Sequence, residues 1–179
     1  GIFGIIVFSG RTVSRSIQRT TQSSLDTFLR DVESLSGGVE VMESFVAWQV
    51  SDHINEPGYL SVVNEKLMQF NPLVSGVGIA FVENFFAGHG QYFEQCTYRV
   101  EETGEVVTGV CDDYADKDWF VQSVTSGKGV WGEPHVSEHG GGNVVTYSSP
   151  IKKDDGTIYA VLSIDISLDQ FAKSLSKEH

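Results

Sequence analysis

Hydrophobic residues recur every three to four positions over residues 11–49, which is the spacing of one face of an α-helix. The members of this stripe are Val13, Ile17, Leu25, Phe28, Leu29, Val32 and Leu35, followed by Val41, Met42, Phe45, Val46 and Trp48. No proline precedes Pro57, so nothing forces an earlier break, although Gly37-Gly38 favours a kink. We predict one unusually long helix, part of which extends beyond the core and meets a partner helix.

The hydrophobic period changes after this helix. The predicted elements are, in chain order, a helix over 59–70, a buried strand over 74–86, a hairpin of strands over 91–101 and 104–111, a short helix over 116–126, a strand beginning at Val130-Trp131, a second hairpin over 143–151 and 157–166, and a helix over 168–175. Because consecutive strands form hairpins, we expect an antiparallel sheet with the helices gathered on one side. The sequence therefore predicts an α+β fold.

Composition and charge exclude one class of partner. A chain of 179 residues is long enough for one domain with a substantial core. Its 24 acidic and 12 basic side chains give a formal net charge of -12. A nucleic-acid-binding protein would present a basic face, so we expect no nucleic-acid partner.

The N-terminal segment has the opposite charge. Residues 1–30 contain four arginines and one acid, Asp26, which sum to +3. The apolar run 2–8 is far shorter than the roughly 20 residues that span a bilayer. Residues 1–10 are therefore either the remnant of a membrane helix or an N-terminal extension, and 11–179 form one domain. Basic residues directly after the run are typical of a cytoplasmic flank, which counts against the membrane-helix interpretation.

Two cysteines, Cys96 and Cys111, are too few for a disulfide scaffold and lack the spacing of a zinc knuckle. With the turn 102–105 as pivot, position 96 lies opposite 110 or 111 in the predicted hairpin. A cross-strand disulfide is geometrically possible and would favour an oxidising compartment. Two buried thiols are an equally good interpretation.

The stretch 135–139, HVSEH, matches the H-x-x-E-H motif of some zinc peptidases. That motif needs a helix, on which both histidines project to the same side. Here Pro134 precedes it and three glycines follow it, which disfavours a helix. In a strand, His135 and His139 would stand about 13 Å apart, too far to share one ion. A zinc-dependent hydrolase is therefore a weaker alternative, and we predict no metal, cofactor or catalytic residue.

Aromatic and polar residues are concentrated between 114 and 165, a mixture typical of a small-molecule pocket. The candidates are Tyr114, Lys117, Trp119, Phe120, Trp131, His135, Tyr147 and Asp165. Individual aromatics in this set could instead belong to the core. Asp165 interrupts a strand otherwise suited to burial and shares a face with Val161 and Ser163. A carboxylate there needs a partner, such as a backbone amide, Lys117 or a cationic ligand.

The C-terminal half resembles a Cache domain, the PAS-like extracytoplasmic sensor module of bacterial signalling receptors. The stretches that carry the resemblance are DWF (118–120), WGEPH (131–135), VTYSSPI (145–151) and GTIYAVLSIDISL (156–168), which occur in the family's order and spacing. The resemblance implies a long N-terminal helix packed on a central antiparallel sheet, with a ligand pocket on the opposite face. The length fits a single Cache unit.

The family's ligand residues transfer only where its motifs match. In the amino-acid-binding branch, an R-x-W-Y motif binds the ligand carboxylate, and an aspartate in the last strand binds the ammonium group. Here the corresponding stretch is Lys117-Asp118-Trp119-Phe120, so an ammonium replaces the guanidinium and the tyrosine hydroxyl is missing. His135 stands where a tyrosine is common, and Asp165 matches the aspartate.

These observations predict an extracytoplasmic sensor in the periplasmic or extracellular part of an inner-membrane receptor, with a kinase, phosphatase, cyclase or chemotaxis module as output. The predicted ligand is a small polar molecule, either an amino acid, a carboxylate or an amine. The resemblance also implies a homodimer formed through the N-terminal helix. The alternative is a ligand-free dimerisation or protein-docking module.

Overall fold

The computed structural model describes residues 22–178. The predictions for segment 1–10 and for the start of the helix at residue 11 lie outside the described residues. Among residues 22–178, no helix is both long and apolar enough to span a membrane.

Four α-helices form within the described chain: α1 (Gln22–Asp52), α2 (Leu60–Phe70), α3 (Asp118–Ser126) and α4 (Leu168–Glu178), with a 3-10 turn at Pro57–Tyr59 before α2. The long α1 is continuous through Gly37 and Gly38. Helix α2 ends where Asn71 Nδ2 donates a hydrogen bond to Leu67 O at 2.6 Å, and Pro72 follows. The predicted long helix and its short successor are therefore confirmed over the described residues.

Seven strands form one sheet: β1 (Val74–Phe81), β2 (Glu94–Arg99), β3 (Val106–Cys111), β4 (Val130–Trp131), β5 (His135–Val136), β6 (Asn143–Lys152) and β7 (Ile158–Ser167). The strand order is β3-β2-β1-β7-β6-β4, with β5 also paired to β6. Every pairing is antiparallel, which confirms the predicted α+β fold.

The first strand is shorter than predicted, ending at Phe81 rather than at residue 86. The chain turns at Asn84, whose φ is 59°. Phe85 and Phe86 then fold back onto the ring of Phe81, with centroid distances of 5.1 and 4.6 Å. The apolar character that suggested a longer strand therefore stabilises a turn instead.

The main core lies between the sheet and the two helices α1 and α2. Alternate residues of β1 and β7 face these helices because successive side chains of a strand point to opposite faces. Its buried members include Val39, Val46 and Val50 of α1, Leu60, Val63 and Met68 of α2, and Ile79, Leu162, Ile164 and Ile166 of the sheet. The alternation leaves the other face of β1 and β7 free for a different use.

Two further contacts position α1. The Glu43 carboxylate accepts hydrogen bonds from Tyr147 Oη at 2.8 Å and Ser149 Oγ at 2.5 Å, which joins the middle of the helix to β6. Nearer the N-terminus, a second apolar cluster joins α1 to α4; its buried members are Phe28, Val32, Phe171 and Leu175. The first and last described helices are thus packed against each other.

Candidate ligand pocket

A cavity opens on the sheet face opposite α1 and α2. Strand β1 forms its floor, and β2 and β7 form its sides. It is covered by the segment leading into α3 (113–119) and by β5 together with the turn that follows it (135–139). Helix α3 therefore lies on this second face, whereas we expected all helices on one side. The cavity is on the face that the resemblance to Cache domains implied.

Two glycines give the cavity its depth. Gly76 pairs with Asp165 of β7, and Gly78 pairs with Ser163 of β7 and with Cys96 of β2. A Cβ atom on Gly78 would clash with the Glu94 carboxylate and lie 2.8 Å from Ser163 Oγ. The floor is therefore bare main chain, over which the neighbouring strands extend their polar side chains.

Asp165 lies at the centre of one wall and is partly buried. Its Oδ1 accepts a hydrogen bond from Thr146 Oγ1 at 2.5 Å, across the β6–β7 pair. Burial raises the pKa of Asp165, while the hydrogen bond from Thr146 and the nearby His135 and His139 act in the opposite direction. We expected a backbone amide, Lys117 or a cationic ligand as the partner of this carboxylate, whereas its hydrogen-bond donor in the structure is the Thr146 hydroxyl.

Glu94 on the facing wall was missed by the sequence analysis. Its side chain is only 5% exposed, it lines the cavity, and no described residue donates a hydrogen bond to its carboxylate. Burial, reinforced by the charges of Asp165 and Glu138, raises the pKa of Glu94 from 4.5 to about 7. The alternation of Glu94, Cys96 and Tyr98 along β2 placed all three on one face, but could not show that this face lines a cavity.

Lys117 lies at the rim, directly before α3. Its ammonium group is 3.2 Å from Glu138 Oε1, and this contact raises the pKa of Lys117. The lysine that replaces the family's arginine is therefore already paired with a carboxylate of this chain.

Tyr114 is fully buried and holds the cover to the sheet. Its hydroxyl accepts a hydrogen bond from Phe93 N at 2.9 Å and donates one to Phe81 O at 2.5 Å. Trp119 lines the cavity beside it, while Phe120 packs against the Tyr114 ring at 5.1 Å without reaching the cavity. Phe120, one of the predicted pocket residues, therefore does not line the cavity.

Two of the predicted contact residues, Trp131 and Tyr147, lie on the sheet face opposite the cavity. Thr146 points into the cavity, so its neighbour Tyr147 points to the opposite face, where it bonds to Glu43 of α1. Trp131 pairs with Tyr147 and packs against its ring in a tilted arrangement, with the ring centroids 5.0 Å apart. Tyr147 and Trp131 thus contribute to the helix-side core and do not line this cavity.

The HVSEH stretch does not form the helix that a zinc peptidase needs. His135 lies on β5 opposite Val144, and its Nδ1 is 2.9 Å from Glu133 O. Glu138 and His139 lie in the turn that follows, where His139 stacks on Tyr98 at 5.3 Å. His135, Glu138 and His139 all line the cavity, although only His135 was among the predicted pocket residues.

The chain resembles proteins of known family. A family model for the first PDC sensor domain of methyl-accepting chemotaxis protein-like receptors matches residues 59–173. The methyl-accepting chemotaxis protein TlpB of Bacillus subtilis is 25% identical over 154 residues, which cover 78% of this chain and 21% of that protein. The chain thus spans about a fifth of its curated relative.

Solved structures share the fold. The extracellular domain of soHK1S-Z6, a protein assigned as a histidine kinase, matches with a TM-score of 0.62 and 24% identity over 86% of this chain and 58% of that one. The ligand-binding domain of the Campylobacter jejuni chemoreceptor Tlp3, solved with L-norvaline, matches with a TM-score of 0.61 and 15% identity over 94% and 64%. With the fold and the family model in agreement, this chain belongs to the PDC (Cache) family of receptor sensor domains.

Proposed function

We propose that this domain is an extracytoplasmic sensor that binds a small ligand through a cationic amino group. The observation that carries the proposal is the charge of the cavity. Its lining contains four carboxylates, from Glu94, Asp113, Glu138 and Asp165. The one lysine of the lining, Lys117, is already paired with Glu138. Such a site stabilises a cation and repels a free anion.

Asp165 is the proposed anchor for the ammonium group, with Glu94 on the opposite wall as a second acceptor. The indole of Trp119 supplies an apolar surface on which a cation is also stabilised. Tlp3 domains of this fold were solved with isoleucine and with norvaline, both of which carry an ammonium group. Because Lys117 is paired, recognition of a ligand carboxylate is expected to be weaker than recognition of the amine.

The pocket and the terminal helices are joined through two strands, which supports a relay of ligand binding to the receptor. On β6, Thr146 holds Asp165 in the pocket, and the adjacent Tyr147 holds Glu43 of α1 on the other face. Strand β7 carries Asp165, and α4 begins at Leu168, three residues further along the chain. A ligand that prefers one arrangement of these strands would shift α1 and α4 together.

We further propose that residues 11–179 act as one sensor unit of a membrane-anchored receptor in the inner membrane. Residues 1–10 are assigned to a membrane helix or an N-terminal extension. The outer face of α1 carries Val41, Phe45 and Trp48, which are 70%, 43% and 61% exposed. This apolar strip supports a homodimer formed through α1, since a helix buries such a strip against a second helix. We assign no catalytic step to the domain.

Calorimetric titration with 1,4-diaminobutane, L-isoleucine and succinate tests the ligand class. The two amines are expected to bind and succinate is not. The Asp165→Asn variant is expected to lose about 10- to 100-fold in affinity, since a hydrogen bond to a charged group contributes about 1.5–3 kcal/mol. Asp154→Asn, in the exposed turn between β6 and β7, is the matched control and should bind like the wild type.

Three results would contradict the proposal. Succinate binding as tightly as the amines would invert the predicted charge preference. Equal amine affinity in wild type and Asp165→Asn would show that the ligand binds elsewhere. No binding of any amine in a broader thermal-shift screen would favour the ligand-free dimerisation or docking module.

A further inference from the structure

The two cysteines lie side by side on the pocket face of the β2–β3 hairpin. The register places Cys96 opposite Gly109 and Cys111 opposite Glu94, so the cysteines are diagonal neighbours. Gly109 has no side chain to separate them, and the Cys96 side chain reaches to within 3.6 Å of Gly109 O. As a result the two Sγ atoms are 2.7 Å apart.

This separation is closer to the sulfur–sulfur distance of a disulfide than to that of two cysteines that bind one metal ion. A disulfide has an S–S distance of about 2.05 Å, so the atoms need to approach by only about 0.7 Å. Two thiolates on a tetrahedral zinc ion, each at about 2.3 Å from the metal, stand about 3.8 Å apart. A zinc ion would therefore have to separate the sulfur atoms by about 1 Å, although Glu94 lies close enough to be a third ligand.

We infer that Cys96 and Cys111 form an intramolecular disulfide that fixes the outer edge of the sheet beside the ligand pocket. The compartment is that of the proposed extracytoplasmic sensor, in which disulfides form and persist. The geometry of the two cysteines does not depend on the ligand, so an experiment can refute the disulfide without refuting the proposed ligand class, and the reverse.

The position of the bond gives it a structural role. Strand β3 is an edge strand, and on its other face Val106 and Val110 are exposed. Its partner β2 carries Glu94 and Cys96, which line the pocket. A covalent link between the two strands therefore holds the edge of the sheet against the wall that positions Glu94.

The bond can form by exchange with a low-molecular-weight disulfide such as oxidised glutathione. The thiolate of Cys111, the more exposed cysteine, attacks one sulfur of glutathione disulfide and releases one glutathione thiolate. The Cys96 thiolate then attacks the Cys111 sulfur of this mixed disulfide and releases the second glutathione. Two cysteine thiols are oxidised and one glutathione disulfide is reduced to two glutathione thiols, which take up the two protons that the cysteines lose.

Burial raises the pKa of both thiols, and this sets the pH dependence of the exchange. The attacking thiolate is scarce at neutral pH and becomes more abundant as the pH rises. We therefore expect the bond to form faster at pH 9 than at pH 7. Once formed, it no longer titrates.

The experiment uses the purified 179-residue chain, incubated with oxidised glutathione and then alkylated with iodoacetamide under denaturing conditions. Intact-mass spectrometry counts the alkyl groups that the chain has taken up. The wild type is expected to take up no alkyl group before reduction and two after reduction. Reduction should also lower the Tm by about 6–12 °C, since the bond closes a loop of 16 residues, from 96 to 111.

The single variants Cys96→Ser and Cys111→Ser are the controls. Each should keep one cysteine, either as a free thiol or as a mixed disulfide with glutathione, and its Tm should not depend on reductant. A wild type that keeps two alkylatable thiols after oxidation would overturn the inference. So would a stable adduct with two glutathiones, a disulfide-linked dimer, or one tightly bound zinc per chain with both thiols still alkylatable.

Discussion

Replacing Glu94 with glutamine removes an ionisable group from the pocket wall while keeping the size and shape of the side chain. In the folded protein the pKa of Glu94 is raised to about 7, whereas the ordinary pKa of an exposed glutamate is 4.5. Between these two pH values Glu94 is ionised in the unfolded chain and protonated in the folded chain. The folded state therefore binds more protons, and the free energy of unfolding falls as the pH rises.

The size of this effect follows from the two pKa values. Each pKa unit corresponds to about 1.4 kcal/mol, so a shift from 4.5 to about 7 amounts to roughly 3–4 kcal/mol over the whole titration. Most of this, roughly 2–3 kcal/mol, is lost between pH 5 and pH 8. The glutamine of Glu94→Gln cannot ionise, so the variant does not lose this part of its free energy of unfolding. The free energy of unfolding of the variant relative to that of the wild type should thus increase by roughly 2–3 kcal/mol over this interval.

Urea denaturation followed by tryptophan fluorescence at pH 5, 6, 7 and 8 measures the difference. Glu102→Gln, in the exposed turn between β2 and β3, is the matched control and should follow the wild type. If the free energies of wild type and Glu94→Gln run parallel from pH 5 to pH 8, Glu94 is ionised and hydrated in the folded protein. The account of the pocket as a desolvated acidic site would then be refuted.

Two further predictions concern the helix surface and the pocket cover. Trp48→Glu should convert a dimer into a monomer in analytical ultracentrifugation. The control is Val110→Glu on the edge strand β3, where the native valine is as exposed as Trp48; this variant should remain dimeric. A monomeric wild type would refute dimerisation through α1. Tyr114→Phe should lower the free energy of unfolding in urea by about 1–3 kcal/mol, because the buried N–H of Phe93 loses its acceptor. Tyr92→Phe is the control, and equal stability of the two variants would contradict this role of the Tyr114 hydroxyl.

Where the sequence alternates strongly, it predicted both the strand and the orientation of its side chains. The last strand is an example, because Ser163 and Asp165 were placed on one face and both line the cavity. Tyr147 shows the limit of this reasoning. Its strand was predicted, but the face it occupies depends on the pairing of β6 with β7, which places Thr146 opposite Asp165. Chemical character alone assigned Tyr147 to the pocket.

The cysteine hairpin shows that some errors of register are harmless. The sequence placed Cys96 opposite position 110 or 111, whereas the structure pairs it with Gly109. A shift of two residues from 111 keeps a side chain on the same face, so Cys111 remains next to Cys96 as a diagonal neighbour. A shift of one residue would have placed Cys111 on the helix side.

Glu94 could not be identified from sequence because its environment comes from distant segments. The carboxylate is buried by the cover over 113–119 and by the turn after β5, which lie at least 19 residues further along the chain. A glutamate at the beginning of a strand next to an edge strand is otherwise typical of a solvated position. Only the assembled fold shows that this residue is buried.

The bare floor of β1 has a consequence for how such receptors diversify. On this strand Gly76 and Gly78 face the cavity, while Val77 and Ile79 face the helices and are buried in the core. The side chains that shape the cavity therefore come from the neighbouring strands and the covering segments, whereas its floor is main chain. After gene duplication, substitutions on those walls can change the shape and charge of the cavity without altering the residues of β1 that form the core.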